Sequence, residues 1–595
     1  MDSQKAHRKT RKQAIVPNKT LRERVVHRLP RYSGPYSVGY MDIEVPARDP
    51  RPISDLKRNG KPVLRIDTVL MGVYYPCDVR KQAKSKGGLD KLHRVDWMPR
   101  PRIASAKGYA KFLNIPEMPV TAYLACTTLF TKLPAFRNAK LATPYQEEVP
   151  EAKKDVTDEL PKPEDFDKRE KFPVIIFSHG LGGSRLCYST ICGELASFGC
   201  IVIAVEHRDG SGARTHVSLP RDVDTSVIES STAKLYTNDD DDKDAGSKEV
   251  KAKSKAGVNP YYVVDYILPK DNAQDTSPHN AHGVDQMLRS AQIELRQAEI
   301  KEAFHVISLI NDGKGEEVAA INLRRKGNVG SSSLGLTGIQ WDDWKGSMFL
   351  NQVTVMGHSF GGATTVHLCR DDSLTWLGQG VSLDAWGQAL PPGGDTPRNS
   401  VTKPIIAISS EAFMHWKDNY DSVVNFCREA RDSNVPCWMV TIAGSTHLAM
   451  TDFAVLYPHW MSFFMKSMVD PIRALYLTTA LSLDFLKEIL PPEHTKCARW
   501  GQRDLLMTEE EVSDPDEALR PDNAPEEKWV AVRLKMHNEF VTRLKYIWQA
   551  ISEAILCKRA EDDIETGNGG WDELWTHFSP EPEQLHMYKE KISQY

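Results

Sequence analysis

No stretch of this 595-residue chain approaches the roughly 18 to 20 consecutive apolar residues that a membrane-spanning helix needs, so a transmembrane protein is not expected. The N-terminus, Met1-Asp2-Ser3-Gln4, stays polar and lacks the apolar core of a secretory signal. Asp2 stands where N-myristoylation requires a glycine. Both absences lead us to expect a cytoplasmic protein that is not secreted by a classical signal. The ten cysteines include no Cys-x-x-Cys pair and show no metal-ligand spacing, which argues against a zinc site and a disulfide framework. An excess of one charge sign is also missing. The 76 Lys and Arg face 80 Asp and Glu, a formal net charge of −4, which gives no electrostatic footprint for nucleic acid. The acidic run Asp239–Asp242 lacks EF-hand spacing. We therefore expect no metal and no cofactor.

What is present is organised around Val353–Ala363, the string VTVMGHSFGGA. It reads as a buried strand, a sharp turn and the start of a helix. The turn carries Gly-x-Ser-x-Gly as Gly357, Ser359 and Gly361. A serine hydroxyl is a poor nucleophile unless it is held clear of the backbone and beside a base. A strand-to-helix elbow does this, and a side chain at either flanking glycine would collide across the turn. The competing reading is an ordinary glycine-rich turn.

Upstream, Tyr36–Val45 and Val69–Pro76 read as strands that form an antiparallel entry to a sheet, separated by a polar linker over Pro46–Lys61. Residues 80–110 read as polar and irregular. Thr121–Phe136 reads as an apolar helix, either a core helix or one that faces lipid or lines a pocket. Phe172–Phe177 (FPVIIF) and Cys200–Val205 (CIVIAV) read as doubly buried strands of a parallel sheet. The first runs into Ser178-His179-Gly180-Leu181-Gly182-Gly183. A glycine-rich loop there lets backbone N–H groups approach a ligand closely. In an α/β-hydrolase this loop supplies the first oxyanion-hole donor, here Leu181, and the residue after the nucleophile, Phe360, supplies the second. Residues 210–280 read as a long, mobile surface insertion. Ser277–Asp312 is expected to be one helix with an apolar stripe from Leu288 to Ile310, capped by Gly313. Lys528–Lys558 is expected to be an amphipathic helix.

Three residues each follow a buried strand: Ser359, then Asp384 after Gly380–Leu383, then His447 after Trp438–Ile442. Parallel strands would bring all three to one sheet edge. The order nucleophile, acid, base is that of the α/β-hydrolases. In these roles His447 takes the proton of Ser359 during attack on an ester, and Asp384 fixes the histidine tautomer. His179 and His358 read as structural hydrogen-bonders, and His207 with Asp209 as the weaker substitute for base or acid.

The strings SHGLGG (178–183), AVEHRDGS (204–211), GHSFGGAT (357–364), LDAW (383–386) and GSTH (444–447) together resemble the platelet-activating factor acetylhydrolase family. The resemblance runs from about Tyr36 to about Leu490 and is that of a fungal-type intracellular member. It implies an α/β-hydrolase fold, with a mostly parallel sheet flanked by helices. It also implies a calcium-independent serine esterase acting on the sn-2 ester of glycerophospholipids with short or oxidised acyl chains. Carried over residue by residue, it gives catalytic Ser359, Asp384 and His447 and oxyanion donors Leu181 and Phe360. The implied partners are a phospholipid substrate and a membrane or lipid-particle surface met peripherally. The chain departs from the family in its insertion over 210–280 and in about 100 extra C-terminal residues.

The expected organisation is a basic disordered tail over 1–35, a catalytic domain over 36–494 and a helical C-terminal extension over 495–595. The rival within enzymes is a general carboxylesterase or lipase for non-phospholipid esters. The rival of another class is a non-catalytic interaction protein on a hydrolase fold.

Overall fold

The computed structural model of the chain describes residues 14–17, 26–84, 88–144, 171–223, 233–236, 259–269, 275–391, 400–496, 500, 505–506, 522–541, 543–544, 548 and 573–592. In chain order its strands are β1 (Ser37–Arg58), β2 (Lys61–Cys77), β3 (Arg94–Asp96), β4 (Lys132–Arg137), β5 (Phe172–Ser178), β6 (Ile201–Glu206) and β7 (Arg214–Ser218). There follow β8 (Ala233–Tyr236), β9 (Tyr261–Asp265), β10 (Met348–His358), β11 (Leu377–Leu383), β12 (Ile405–Ser410), β13 (Cys437–Ile442) and β14 (Leu574–Phe578).

The apolar runs read from the sequence are the middle of one sheet. Along it the order is β14-β13-β12-β11-β10-β5-β6-β2-β1-β4-β3. The block from β6 through β5, β10, β11 and β12 to β13 is parallel throughout. Alternation puts successive side chains on opposite faces. Val174 and Ile176 of β5, with Ile201, Ile203 and Val205 of β6, enter one core. Ile175 and Phe177, with Val202 and Ala204, enter the other. Helices Gln286–Asn311 and Lys417–Asp432 cover the first face, and Ser189–Ser197 and Pro471–Ile489 cover the second. This is the α/β-hydrolase arrangement.

Several expectations are corrected. The segment Pro46–Lys61 is not a linker. β1 and β2 form one long hairpin through Pro46, turning at Asn59 and Gly60, whose φ angles are +53° and +75°. Pro50 falls where the register shifts between Pro46 and Arg51, which suits a residue with no N–H for the ladder. Residues 80–110 contain the helix Arg102–Phe112. The apolar segment at 121–136 is split. Its helix, Glu117–Thr127, stops where Thr128 Oγ1 donates to Leu124 O at 3.1 Å. β4 follows, with Pro134 inside it unable to continue a helix.

The long helix starts at Gln286 and not at Ser277. Asp285 caps it by accepting the Leu288 N–H, after Gly283 at φ +63° has broken the chain direction. Within 210–280, β7, β9 and β8 form a separate three-stranded sheet, so part of the expected insertion is folded. The acidic run Asp239–Asp242 lies outside the described residues. In Lys528–Lys558, the start is a 3₁₀ turn over Glu527–Trp529 followed by irregular chain to 538, and most of the remainder lies outside the described residues. The C-terminal extension, expected to be helical, also supplies β14, which pairs antiparallel with β13. Of the expected N-terminal tail, Tyr32 is buried and its hydroxyl donates to Ser189 O at 3.0 Å. Residues 1–13 and 18–25 of that tail lie outside the described residues.

Candidate active site

The parallel block decides where the candidate side chains meet. Ser359 follows β10, Asp384 follows β11, and His447 lies beyond β13, all at one edge of the sheet. The loop after β5 reaches the same edge. Ser359 has φ +59° and ψ −119°, a conformation that costs a non-glycine residue free energy and that the elbow enforces. The surrounding glycines are required sterically. A Cβ on Gly357 would stand 2.2 Å from Gly361 O, and one on Gly361 would stand 2.0 Å from Ser178 O. The Ser359 N–H donates to Leu383 O at 2.9 Å, and its carbonyl accepts the Trp386 N–H at 3.1 Å. The elbow is thus tied directly to the segment that bears Asp384.

Asp384 and His447 are brought together. His447 Nδ1 lies 2.6 Å from Asp384 Oδ2. Ser410, at the end of β12, donates to the same carboxylate from its N–H at 2.7 Å and from its hydroxyl at 2.8 Å. Asp384 is buried, whereas the His447 side chain is 23 % exposed. Both nitrogens and the carboxylate therefore have defined duties. An Nδ1–H donated to Asp384 leaves the His447 Nε2 lone pair as a base. No hydrogen bond joins Ser359 Oγ to a described residue. Such catalytic bonds commonly close only around a substrate.

The N–H groups of Leu181 and Phe360 have no acceptor among the described residues. Phe360 opens the helix Phe360–Cys369, whose first-turn N–H groups are free by construction. The Leu181 loop is pressed against the elbow, since a Cβ on Gly180 would stand 2.9 Å from Ser359 Cβ. Its shape is held at Gly182, φ +69°, whose N–H donates to Ser211 O at 2.8 Å.

Beneath the loops runs a buried polar stripe that the sequence did not disclose. Arg289, Gln292, Arg296 and Glu299 point inward from helix Gln286–Asn311. The Arg296 guanidinium donates to Asp209 Oδ2 at 2.6 Å, to His179 O at 2.8 Å and to Ser211 Oγ at 2.6 Å, and lies 4.3 Å from the Phe360 ring centre. Removing one partner of such a buried pair costs about 3–5 kcal/mol. Burial works to raise the Asp209 carboxyl, and the Arg296 charge together with hydrogen bonds from Ser211 and Arg296 outweighs it, so the carboxyl is held below its ordinary range and stays ionised.

His207 is no substitute base. It is 1 % exposed, with Nε2 2.8 Å from Ser178 Oγ and Nδ1 2.7 Å from Glu299 Oε2. Burial, then the Arg296 charge, push its pKa far down, while burial and the nearby Asp209 push Glu299 up to about 8. The contact is therefore a neutral hydrogen bond and not an ion pair. His179 is likewise buried, its pKa pushed down to about 4 by burial and by Arg296.

Ligand atoms of His358, Asp384 and His447 lie within 4.8 Å of one another, a spacing a metal could use. Their hydrogen bonds engage every nitrogen and carboxylate oxygen of that set except His447 Nε2. Both His358 nitrogens are engaged, by Tyr188 Oη and His447 O, and both Asp384 oxygens are taken by Ser410 and His447. Residues the sequence reading missed are Ser410, which sits at a strand end facing the site, and Phe413 and Tyr188, for which no motif exists.

Residues 151–504 match the family described as "Platelet-activating factor acetylhydrolase, isoform II". The chain is 31 % identical over 327 residues to a platelet-activating factor acetylhydrolase of Gallus gallus, covering 55 % of this chain and 64 % of that one. It is 29 % identical over 323 residues to the Bos taurus protein of that name, covering 54 % and 58 %. The match thus spans under two thirds of the length of these vertebrate relatives. A Schizosaccharomyces pombe protein described as "Putative phospholipase A2" is 24 % identical over 496 residues, covering 77 % of this chain and 92 % of that one. Among solved structures, a ferulic acid esterase from Streptomyces cinnamoneus is similar with TM-score 0.43 and 13 % identity, over 78 % of this chain and 93 % of that one. With more than half of its length matched by that family, the chain belongs to the platelet-activating factor acetylhydrolase, isoform II, family.

Proposed function

We propose that this chain hydrolyses the sn-2 ester of glycerophospholipids bearing short or oxidised acyl chains, without calcium. The observation that carries the reading is the 2.6 Å contact between His447 and Asp384 at the same sheet edge as the strained Ser359. In this mechanism His447 Nε2 takes the Ser359 proton as Oγ attacks the ester carbonyl. Asp384 holds the tautomer and stabilises the imidazolium that forms. The N–H groups of Leu181 and Phe360 bind the oxyanion, each donor contributing about 3 kcal/mol. His447 then protonates the departing lysophospholipid oxygen, leaving an acyl-serine. Water, deprotonated by His447, releases the acid and restores Ser359.

The reading places the enzyme at a lipid surface from the aqueous side. No helix of the described residues is long and apolar enough to cross a membrane. Met118, Trp460 and Phe463 are 83 %, 50 % and 62 % exposed, and Trp460 Nε1 donates to Tyr123 Oη at 2.8 Å, joining helices Glu117–Thr127 and Pro458–Phe464 into one apolar face. Such a patch suits an interface. A cytoplasmic location, with this face meeting membrane peripherally, belongs to the same proposal.

The test is hydrolysis of phosphatidylcholines with sn-2 chains from acetyl to long acyl, with calcium chelated, by wild type and by Ser359→Ala. The reading predicts turnover confined to short chains and lost in the variant. Ser359-dependent cleavage of simple esters without phospholipid turnover would favour a general carboxylesterase.

A further inference from the structure

Three separate loops must keep their spacing for the proposed chemistry: the oxyanion loop at Gly180, the elbow at Ser359 and the base loop at His447. One chain of hydrogen bonds runs through all three. The Gly180 N–H donates to Tyr188 Oη at 3.1 Å. Tyr188 Oη lies 2.9 Å from His358 Nδ1. His358 Nε2 lies 3.0 Å from His447 O. A carbonyl only accepts, so Nε2 carries the proton, Nδ1 accepts and the Tyr188 hydroxyl donates to it. Every group in the chain is then satisfied in a single direction.

We infer that Tyr188 and His358 are positioning residues that set the oxyanion loop, the nucleophile elbow and the base loop at their working spacing. The inference rests on the proposed reading of Ser359 and His447. Both side chains are buried, at 4 % and 2 % exposure, so water cannot replace the bonds. The junction is close-packed: a Cβ on Gly180 would meet Ser359 Cβ, His358 O and Tyr188 Oη, all within 3.0 Å. The His358 ring lies 4.5 Å from that of His447, centre to centre, and 5.4 Å from that of Tyr188.

Tyr188 is itself anchored to the chain that follows His447. Asp452 accepts the Ser189 N–H at 3.1 Å and the Thr190 N–H at 2.9 Å, and its own N–H donates to Cys187 O at 3.0 Å. The two ends of the tether are therefore fixed to the loops it spaces. Burial, and then the neighbouring His447, disfavour a charged His358, which keeps the accepting Nδ1 free of a proton.

Removing the Tyr188 hydroxyl deletes two bonds and leaves the packed ring in place. Tyr188→Phe is predicted to lower kcat on p-nitrophenyl acetate about 10- to 100-fold, as loss of alignment does, with KM within about twofold and little change in melting temperature. His358→Leu should fall as far. The double variant should lose no more than the larger single loss, because one chain is broken once. His358→Gln, which can still donate to His447 O, should retain more activity than His358→Leu. Losses that multiply in the double variant, or that move only KM or the melting temperature, would overturn the inference. Should His358→Leu fail to fold, Tyr188→Phe and His358→Gln alone decide it. If Ser359→Ala is inactive while Tyr188→Phe turns over at the wild-type rate, only the tether falls. If Ser359→Ala remains active, the reading of the site itself falls.

Discussion

Phe413 lies flat against His447, ring centres 4.0 Å apart and planes 5° apart. The same Ser410 that donates to Asp384 also accepts the Phe413 N–H at 3.4 Å. One short segment after β12 thus holds Asp384 by hydrogen bonds and His447 by stacking. Phe413→Ala is predicted to let the imidazole tilt and to lower kcat about tenfold or more, with a smaller effect on KM. Phe413→Tyr should keep most of the activity. Steady-state kinetics of the two variants check this, and equal loss in both would contradict it.

Gly361 has no room for a side chain. A Cβ there would stand 2.0 Å from Ser178 O, which belongs to the neighbouring strand and cannot swing aside. Gly361→Ala is predicted to destabilise the fold by about 1–3 kcal/mol or more and to displace both loops at the proposed oxyanion site. Thermal unfolding and esterase assay would read the two effects together.

The His207–Glu299 pair gives stability a pH dependence whose direction can be worked out. Folded, the pair keeps one proton, since Glu299 is raised to about 8 and His207 is held neutral. Unfolded, the same groups titrate at their ordinary 4.5 and 6.5. Between 4.5 and 6.5 both states bind one proton and the pair contributes no slope. From 6.5 to about 8 the folded state holds a proton the unfolded state has lost, so stability falls as pH rises. Glu299→Gln keeps an amide facing His207 and removes that proton. The variant should lose this decline between pH 6.5 and 8 relative to wild type, by denaturant unfolding across that range. Parallel curves would contradict it.

β14 covers the outer edge of β13, the strand that leads to His447. It pairs from Ile442 with Leu574 to Met439 with Phe578, and the Ala443 N–H donates to Glu573 O at 2.9 Å. Truncation before Glu573 would expose a strand edge able to pair with another chain. We predict a lower melting temperature and concentration-dependent association by light scattering. An unchanged melting temperature would contradict the role given to β14.

How much of this was legible follows from where the signals lie. The strands β5, β6, β10, β12 and β13 are short, apolar on both faces and bounded by glycine or polar loops, so they could be read directly. Ser359, Asp384 and His447 stood out as candidates because each comes after a buried strand, β10, β11 and β13 respectively. The β1–β2 hairpin was hidden because its prolines suggest a linker, while Asn59-Gly60 carries the turn. The inward stripe Arg289, Gln292, Arg296 and Glu299 was hidden because polar residues at helical spacing ordinarily face water. Here the loops after β5 and β6 supply partners for Gln292, Arg296 and Glu299 from distant sequence, and Asp275 supplies one for Arg289. Tyr188 and Phe413 act through contacts across more than 30 positions of chain, which no local pattern encodes.

The central claim is that Ser359 is the nucleophile, and covalent capture tests it most directly. The protein would be treated with a fluorophosphonate, digested, and the adduct located by peptide mass spectrometry, with Ser359→Ala alongside. The account predicts one adduct, on the peptide containing Ser359, and neither label nor ester hydrolysis in the variant. An adduct elsewhere, or a Ser359→Ala protein that hydrolyses ester at the wild-type rate, would contradict it.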